Sequence, residues 1–226
     1  VESLVDDLRL TFGNLRTYDI KLNPEKCVFG VPAGKLLGFI VSGRGIEANP
    51  AKIRALSQLA IPTDLKQIQK LTGCVAALSR FISRLGEKAL PLYRLLRRTE
   101  HFEWTDAATA GLEEIKAILA TNPVLAAPNL GEPMLLYIAA THQVVSAVLV
   151  VERETEGHKF PLQKPVYYVS TVLTRCNSRY PHYEKIAYAV FMASRKLRHY
   201  FQECSITVAP EVPLNDIINN RDATGR

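Results

Sequence analysis

The spacing of apolar residues changes character once along this chain, and that change limits the folds open to it. Upstream of NPVLAAPNLGEP, residues 122–133, most apolar residues recur at helical intervals. Downstream they come in strand-length runs: MLLYIAAT, VVSAVLVVE and KPVYYVSTVL, then a helix opening behind Pro181, then a fourth run, SITVAP. The Pro, Gly and Asn between the halves are turn residues, so this stretch is a natural boundary. Helices before a boundary and strands after it predict an α+β chain rather than a regularly alternating one. At 226 residues, 47% of them hydrophobic, the chain can form one large domain or two small ones with real cores.

At the start, Leu4, Val5, Leu8, Phe12 and Leu15 share one side of a helix running to about Tyr18. Asp6 and Asp7 lie off that side, near the helix start, where the macrodipole stabilises carboxylates. A metal-binding aspartate pair of the polymerase kind would sit at a hairpin tip between strand-like runs, and nothing strand-like flanks Val5-Asp6-Asp7. KLNPEKCVFGV turns through Asn23-Pro24 into a predicted strand, and GKLLGFIVSGRGI supplies a second. Asn49 and Pro50 then stand at the N-cap and first position of a helix. IPTDLKQ opens a long helix from about Asp64 to Leu85, PLYRLLRR adds a short one behind Pro91, and Thr105 or Asp106 caps another reaching about Ala120.

Charge is unevenly placed. Residues 49–98 hold ten Lys and Arg against two acids, and residues 99–134 hold one against six. Within the predicted helix over 64–88, Leu71, Val75, Leu78, Ile82 and Leu85 form a core face. Lys66, Gln69, Lys70, Gly73, Ala77, Arg80, Arg84 and Lys88 form the opposite stripe. One reading is a solvated face. The other is contact with a polyanion: small residues between cations let a duplex backbone approach, and Gln69 can donate or accept at a groove edge. Gly73 favours the second, because glycine in a helix interior costs about 1 kcal/mol relative to alanine.

Other chemistries find little support. Cys27, Cys74, Cys176 and Cys204 are widely spaced, as packed, reduced thiols are, and His142, His158, His182 and His199 show no metal-ligand spacing. His199 near a helix C-terminus fits the dipole. Trp104 and the Tyr167-Tyr168 pair read as packing residues. No apolar run approaches the roughly 18 residues of a membrane span, and nothing at the N-terminus marks secretion.

IQKLTG with its small-residue continuation looks like the thumb helix that tracks the template-primer minor groove in reverse transcriptases. KLNPEKCVFGV followed by GKLLGFIVSGRGIEANPAKIRAL resembles the reverse transcriptase of gypsy-type LTR retrotransposons, and FEWTDAATAGLEEIKAILATNPVLAAPN resembles its connection to a ribonuclease H-like region. The resemblance implies the end of a palm with a primer-grip-like hairpin over 1–48, centred on Leu37, Gly38 and Phe39. It implies a helical thumb over 49–98, a linker helix and boundary loop over 99–134, and a mixed-sheet RNase H-like connection domain with flanking helices over 135–226. The polymerase aspartates would lie upstream of the first helix.

In active domains of this type the first strand reads Y-T-D-A-S. Here the matching residues are Tyr137-Ile138-Ala139-Ala140-Thr141, so Ala139 replaces the aspartate. Ile186 takes the place of the second carboxylate, and Pro210 that of the fourth-strand aspartate. Such decay is similar to that of plant elements whose nuclease lies further downstream. The resemblance therefore implies a chain that holds template-primer, an RNA–DNA or DNA duplex, and performs no chemistry alone. Its parent polyprotein would be an RNA-directed DNA polymerase using Mg²⁺, in a cytoplasmic virus-like particle or the nucleus. Two rivals stand beside this reading. One is an active ribonuclease H rebuilt around Glu184 and Glu211. The other is a subunit-interface domain that forms a dimer and binds no nucleic acid.

Overall fold

The computed structural model describes residues 2–96, 102–155, 157 and 159–211. Arg97 and Arg98 of PLYRLLRR, the opening of the 99–134 segment, His158 and residues 212–226 lie outside the described residues.

Helix α1 (Glu2–Thr17) ends close to where periodicity placed its end. Asp6 is exposed and pairs with Arg9 one turn on. KLNPEKCVFGV forms no strand. Asn23 caps a 3-10 turn over Pro24–Lys26, and Gly30 at φ +65° breaks any extended run before Pro32, which has no N–H to give a ladder. Pairing starts one residue later and yields three strands where the residue pattern read one: β1 (Ala33–Leu36), β2 (Phe39–Ser42) and β3 (Gly45–Ala48). They form an antiparallel meander.

The Asn49 side chain accepts the Ala51 N–H, Pro50 follows, and helix α2 (Pro50–Ser57) begins there, as its sequence predicted. Helix α3 (Leu65–Ala77) starts at Asp64, whose carboxylate accepts the Gln67 N–H at 2.8 Å. It does not run to Leu85. A 3-10 turn over Ser79–Phe81 follows, Ile82 is extended, and Arg84 sits at φ +53° before α4 (Leu85–Lys88) and α5 (Leu90–Arg94). The break redirects the chain so that Gly86 reaches the second half of the molecule. Helix α6 (Asp106–Ala120) is capped by Thr105, and β4 (Val124–Leu125) returns to pair with β3, Ile46 opposite Leu125. One core joins these pieces: Leu56, Ile68, Leu71, Val75, Leu78, Phe81, Leu92, Ile115 and Leu119 are all buried together.

The second half is a four-stranded sheet of β5 (Met134–Ala140), β6 (Val144–Arg153), β7 (Leu162–Val172) and β8 (Ile206–Pro210), in the order β7-β6-β5-β8. The first three strands are antiparallel, while β8 lies parallel to β5 after a crossover through α7 (His182–Lys196) and α8 (Arg198–Glu203). Alternation along β5 sends Met134, Leu136 and Ile138 into a core with Ile186, Ala189, Ala193 and Leu197 of the α7–α8 segment. The other face takes the end of the helical half. Gly86 N–H donates to Ser170 Oγ at 2.8 Å, and a Cβ on Gly86 would come within 2.7 Å of Val144. No described helix is long and apolar enough to cross a membrane.

Candidate nucleic-acid interface

Helix α3 buries Ile68, Leu71, Thr72 and Val75, which fixes its rotation. Lys66, Gln69, Lys70, Gly73 and Ala77 consequently face outward along about 16 Å of helix, and all five are exposed. Neither lysine makes an ion pair among the described residues. A Cβ on Gly73 would meet nothing within 4 Å, so packing inside the molecule gives no reason for a glycine there.

Arg80, Arg84 and Lys88 do not extend this stripe, because the helix that would have aligned them is broken. Arg80 is half-buried, its guanidinium 4.6 Å from the Phe39 ring and 4.5 Å from the Tyr167 ring, stapling β2 to β7. Arg84 forms a two-pronged ion pair with Glu87, whose hydrogen bond and charge raise the guanidinium pKa. Lys88 Nζ donates to the Ser83 carbonyl at 3.0 Å.

The tip between β1 and β2 is Leu37-Gly38, at φ +49° and +83°. Both central residues of such a two-residue hairpin need positive φ, a conformation that costs leucine on the order of 1 kcal/mol. Leu37 is nonetheless 88% exposed, so it gains nothing from packing within the chain. Phe39, next along, lies between Lys52, Arg80 and Phe81.

The three substituted positions in the second half separate. Ala139 and Pro210 line one cavity of about 480 Å³ with Ser83, Arg84, Tyr168 and Glu211, between the helical half and the open face of the sheet. Burial pushes the Tyr168 phenol pKa up. Ile186 is on the other side, fully buried against Ile138 and the α7 core. A two-metal centre needs several carboxylates around one point. Among the described residues no three His, Cys, Asp or Glu side chains come together to hold a metal. Ala139, Ile186 and Pro210 offer no ligand, so the donor set does not fit Mg²⁺.

Sequence reasoning missed two groups that position these parts. One is the chain Gly86 N–H, Ser170 Oγ and Ser146 Oγ, each step 2.8 Å. The other is Arg153, which donates to both Glu132 oxygens at 2.8 Å and to the Ala127 carbonyl at 2.7 Å, clamping the boundary loop. The Arg153 hydrogen bonds hold the Glu132 pKa down at about 2.

A mixed sheet with three antiparallel strands, a helical crossover and a parallel fourth defines an RNase H-like domain, here docked on a helical unit with an exposed basic face. Residues 104–208 match the RNase H-like domain found in reverse transcriptase, a span that takes in α6 as well as most of the second half. The chain is similar to a retrovirus-related Pol polyprotein from transposon 297 of Drosophila melanogaster, 28% identical over 201 residues, 87% of this chain and 18% of the relative. It is also similar to the transposon Tf2-3 polyprotein of Schizosaccharomyces pombe, 27% identical over 212 residues, 94% of this chain and 15% of the relative. This chain thus spans about a fifth or less of these relatives. Its fold matches the foamy viral protease-reverse transcriptase in complex with RNA/DNA hybrid, with TM-score 0.77 and 20% identity, over 98% of this chain and 30% of that one. The same viral protein in complex with dsDNA matches with TM-score 0.69 and 21% identity, over 87% of this chain and 40% of that one.

Proposed function

We propose that this chain is the duplex-holding, non-catalytic part of a gypsy-type retrotransposon reverse transcriptase, of the plant kind that carries its nuclease further downstream. The face of α3 lies along the template-primer: Lys66 and Lys70 neutralise phosphates, Gln69 meets a groove edge, and Gly73 and Ala77 let the backbone close in. Leu37, Gly38 and Phe39 would steady the primer end. The Mg²⁺ and the polymerase aspartates belong to the remainder of the polyprotein, acting in a cytoplasmic virus-like particle or the nucleus. The observation that carries this reading is Gly73, an exposed mid-helix glycine between cations with open space where its side chain would be.

The test is binding of the full chain to a labelled RNA–DNA duplex across a salt series, beside a Lys66→Ala/Lys70→Ala variant. Arg80 and Arg84 stay intact because Arg80 staples β2 to β7 and Arg84 is already paired with Glu87. Log affinity should fall linearly with log salt, and the variant's slope should be shallower by about 1–2, one phosphate contact per lysine. Equal slopes would remove α3 from the interface. A concentration-dependent dimer in sedimentation, with no salt-sensitive duplex affinity, would replace this reading with the subunit-interface one.

A further inference from the structure

Helix α7 packs on the face of the sheet opposite the one that Gly86 meets, and its exposed side has an unusual make-up for a surface helix. Residues 175–198 hold six Lys and Arg against one acid, Glu184. Lys185 is buried and donates to the His142 carbonyl, while Arg175, Arg179, Arg195, Lys196 and Arg198 are exposed. None of those five forms an ion pair among the described residues, and Lys196 alone leans back over the sheet, 5.9 Å from the Tyr167 ring. Beside them are three exposed aromatic rings: Tyr180 at 40%, Tyr183 at 41% and Phe191 at 51%. Tyr183 and Phe191 stand on the same side of the helix, separated by about 12 Å along its axis. The Arg195 guanidinium lies 5.7 Å from the Phe191 ring.

A face kept only for solubility mixes both signs of charge and hides its aromatic rings. A protein-binding face would be poor in charge at its centre. Rings spaced along a positively charged track are instead what unpaired bases and their phosphates require, each base stacking on a ring while cations follow the backbone. We propose that the α7 face, through Tyr183, Phe191, Arg195 and the arginines at its two ends, binds single-stranded nucleic acid. Paired bases cannot offer their faces to these rings, so the surface prefers a strand to a duplex. It is distinct from α3, which would meet the duplex.

The experiment titrates the full chain with fluorescent oligo(dT) and oligo(U) of about 12 nucleotides, and with the RNA–DNA duplex. It compares wild type, Tyr183→Ala/Phe191→Ala, Arg195→Ala and the α3 variant Lys66→Ala/Lys70→Ala. Both targeted rings are largely exposed, and equal thermal midpoints would certify the fold. The ring variant should lose about tenfold or more in oligonucleotide affinity, with duplex affinity unchanged. Arg195→Ala should flatten the salt slope for oligonucleotide by about 1. The α3 variant should show the reverse pattern. Unchanged oligonucleotide affinity in the ring variant would overturn the proposal while leaving the α3 reading intact. Equal loss on oligonucleotide and duplex would overturn the preference for single strands. Wild-type chain that ignores oligonucleotide but dimerises through this face would reassign it to a protein partner.

Discussion

At the scale of single residues, two glycines stand in opposite surroundings. A Cβ on Gly45 would lie 2.1 Å from the Leu125 carbonyl, and the residue sits at φ +132°, so Gly45→Ala must push β3 and β4 apart. Unfolding in urea should show a loss of about 2 kcal/mol or more, the range of strain added at a special backbone position. Gly73→Ala meets only open space and gains helix propensity, so stability should rise by about 0.5–1 kcal/mol. The same substitution should weaken duplex binding. A stabilised protein with unaltered affinity would mean that no backbone approaches Gly73. This difference between two glycines was half legible in sequence: the cost of a helix-interior glycine can be read from its neighbours, but what surrounds it cannot.

At the scale of elements, local chemistry set the starts and distant contacts set the ends. Asn49-Pro50, Asp64 and Thr105 each announce a helix through residues one to three positions away, and each helix begins there. The end of α3 has no such signal. Leu71, Val75, Leu78, Ile82 and Leu85 keep helical spacing and are all buried, so periodicity alone reads one long helix. The chain bends there, Gly86 meets Ser170, 84 residues away, and the bend takes three of the eight stripe residues off the α3 face. Strand patterning by itself read GKLLGFIVSGRGI as one strand for the opposite reason: Leu37-Gly38 makes a tight turn with a leucine where such turns favour Asn or Asp, and only the family resemblance implied a hairpin there. The boundary loop yields a prediction of its own. Glu132 falls from an ordinary 4.5 to about 2 on folding, chiefly through the Arg153 hydrogen bonds. A carboxylate depressed in this way stabilises the fold fully above about pH 4.5, and that contribution is lost as pH falls toward 2. Wild type should exceed Glu132→Gln by about 1–2 kcal/mol at pH 6, after allowing for solvent screening. The gap in urea-unfolding free energy should close as pH is lowered through this window. A gap that persists undiminished at pH 2.5 would show that the carboxylate's charge is not what holds the loop.

At the scale of the whole molecule, two cores meet across a polar seam and a stapled arginine. The helical core draws on residues from Ala48 to Leu125, and the sheet core on residues from Ala126 to Leu197. A chain of residues 33–126 should therefore unfold in urea as a single cooperative transition, followed by far-UV circular dichroism. A broad, non-cooperative loss of helix would show instead that the sheet half is needed to complete it. The switch in apolar periodicity that separated the halves in sequence falls at this same division. What sequence did not reveal is that the chain doubles back before crossing it. Strands β3 and β4 lie hydrogen-bonded side by side, so everything from α2 to α6 is a lobe on a two-stranded stem. A lobe closed at its base leaves the distance between its neighbours unchanged whatever its own length. Within it the turn at Arg80 and the start of α4 are tied to the hairpin and the sheet through Phe39, Tyr167 and Ser170, so changes of length are confined to parts of the lobe that leave those contacts intact. If α3 meets a duplex as proposed, exchanging only its exposed residues, Lys66, Gln69, Lys70, Gly73 and Ala77, is the change of grip that this stem tolerates, because none of them is part of the buried core.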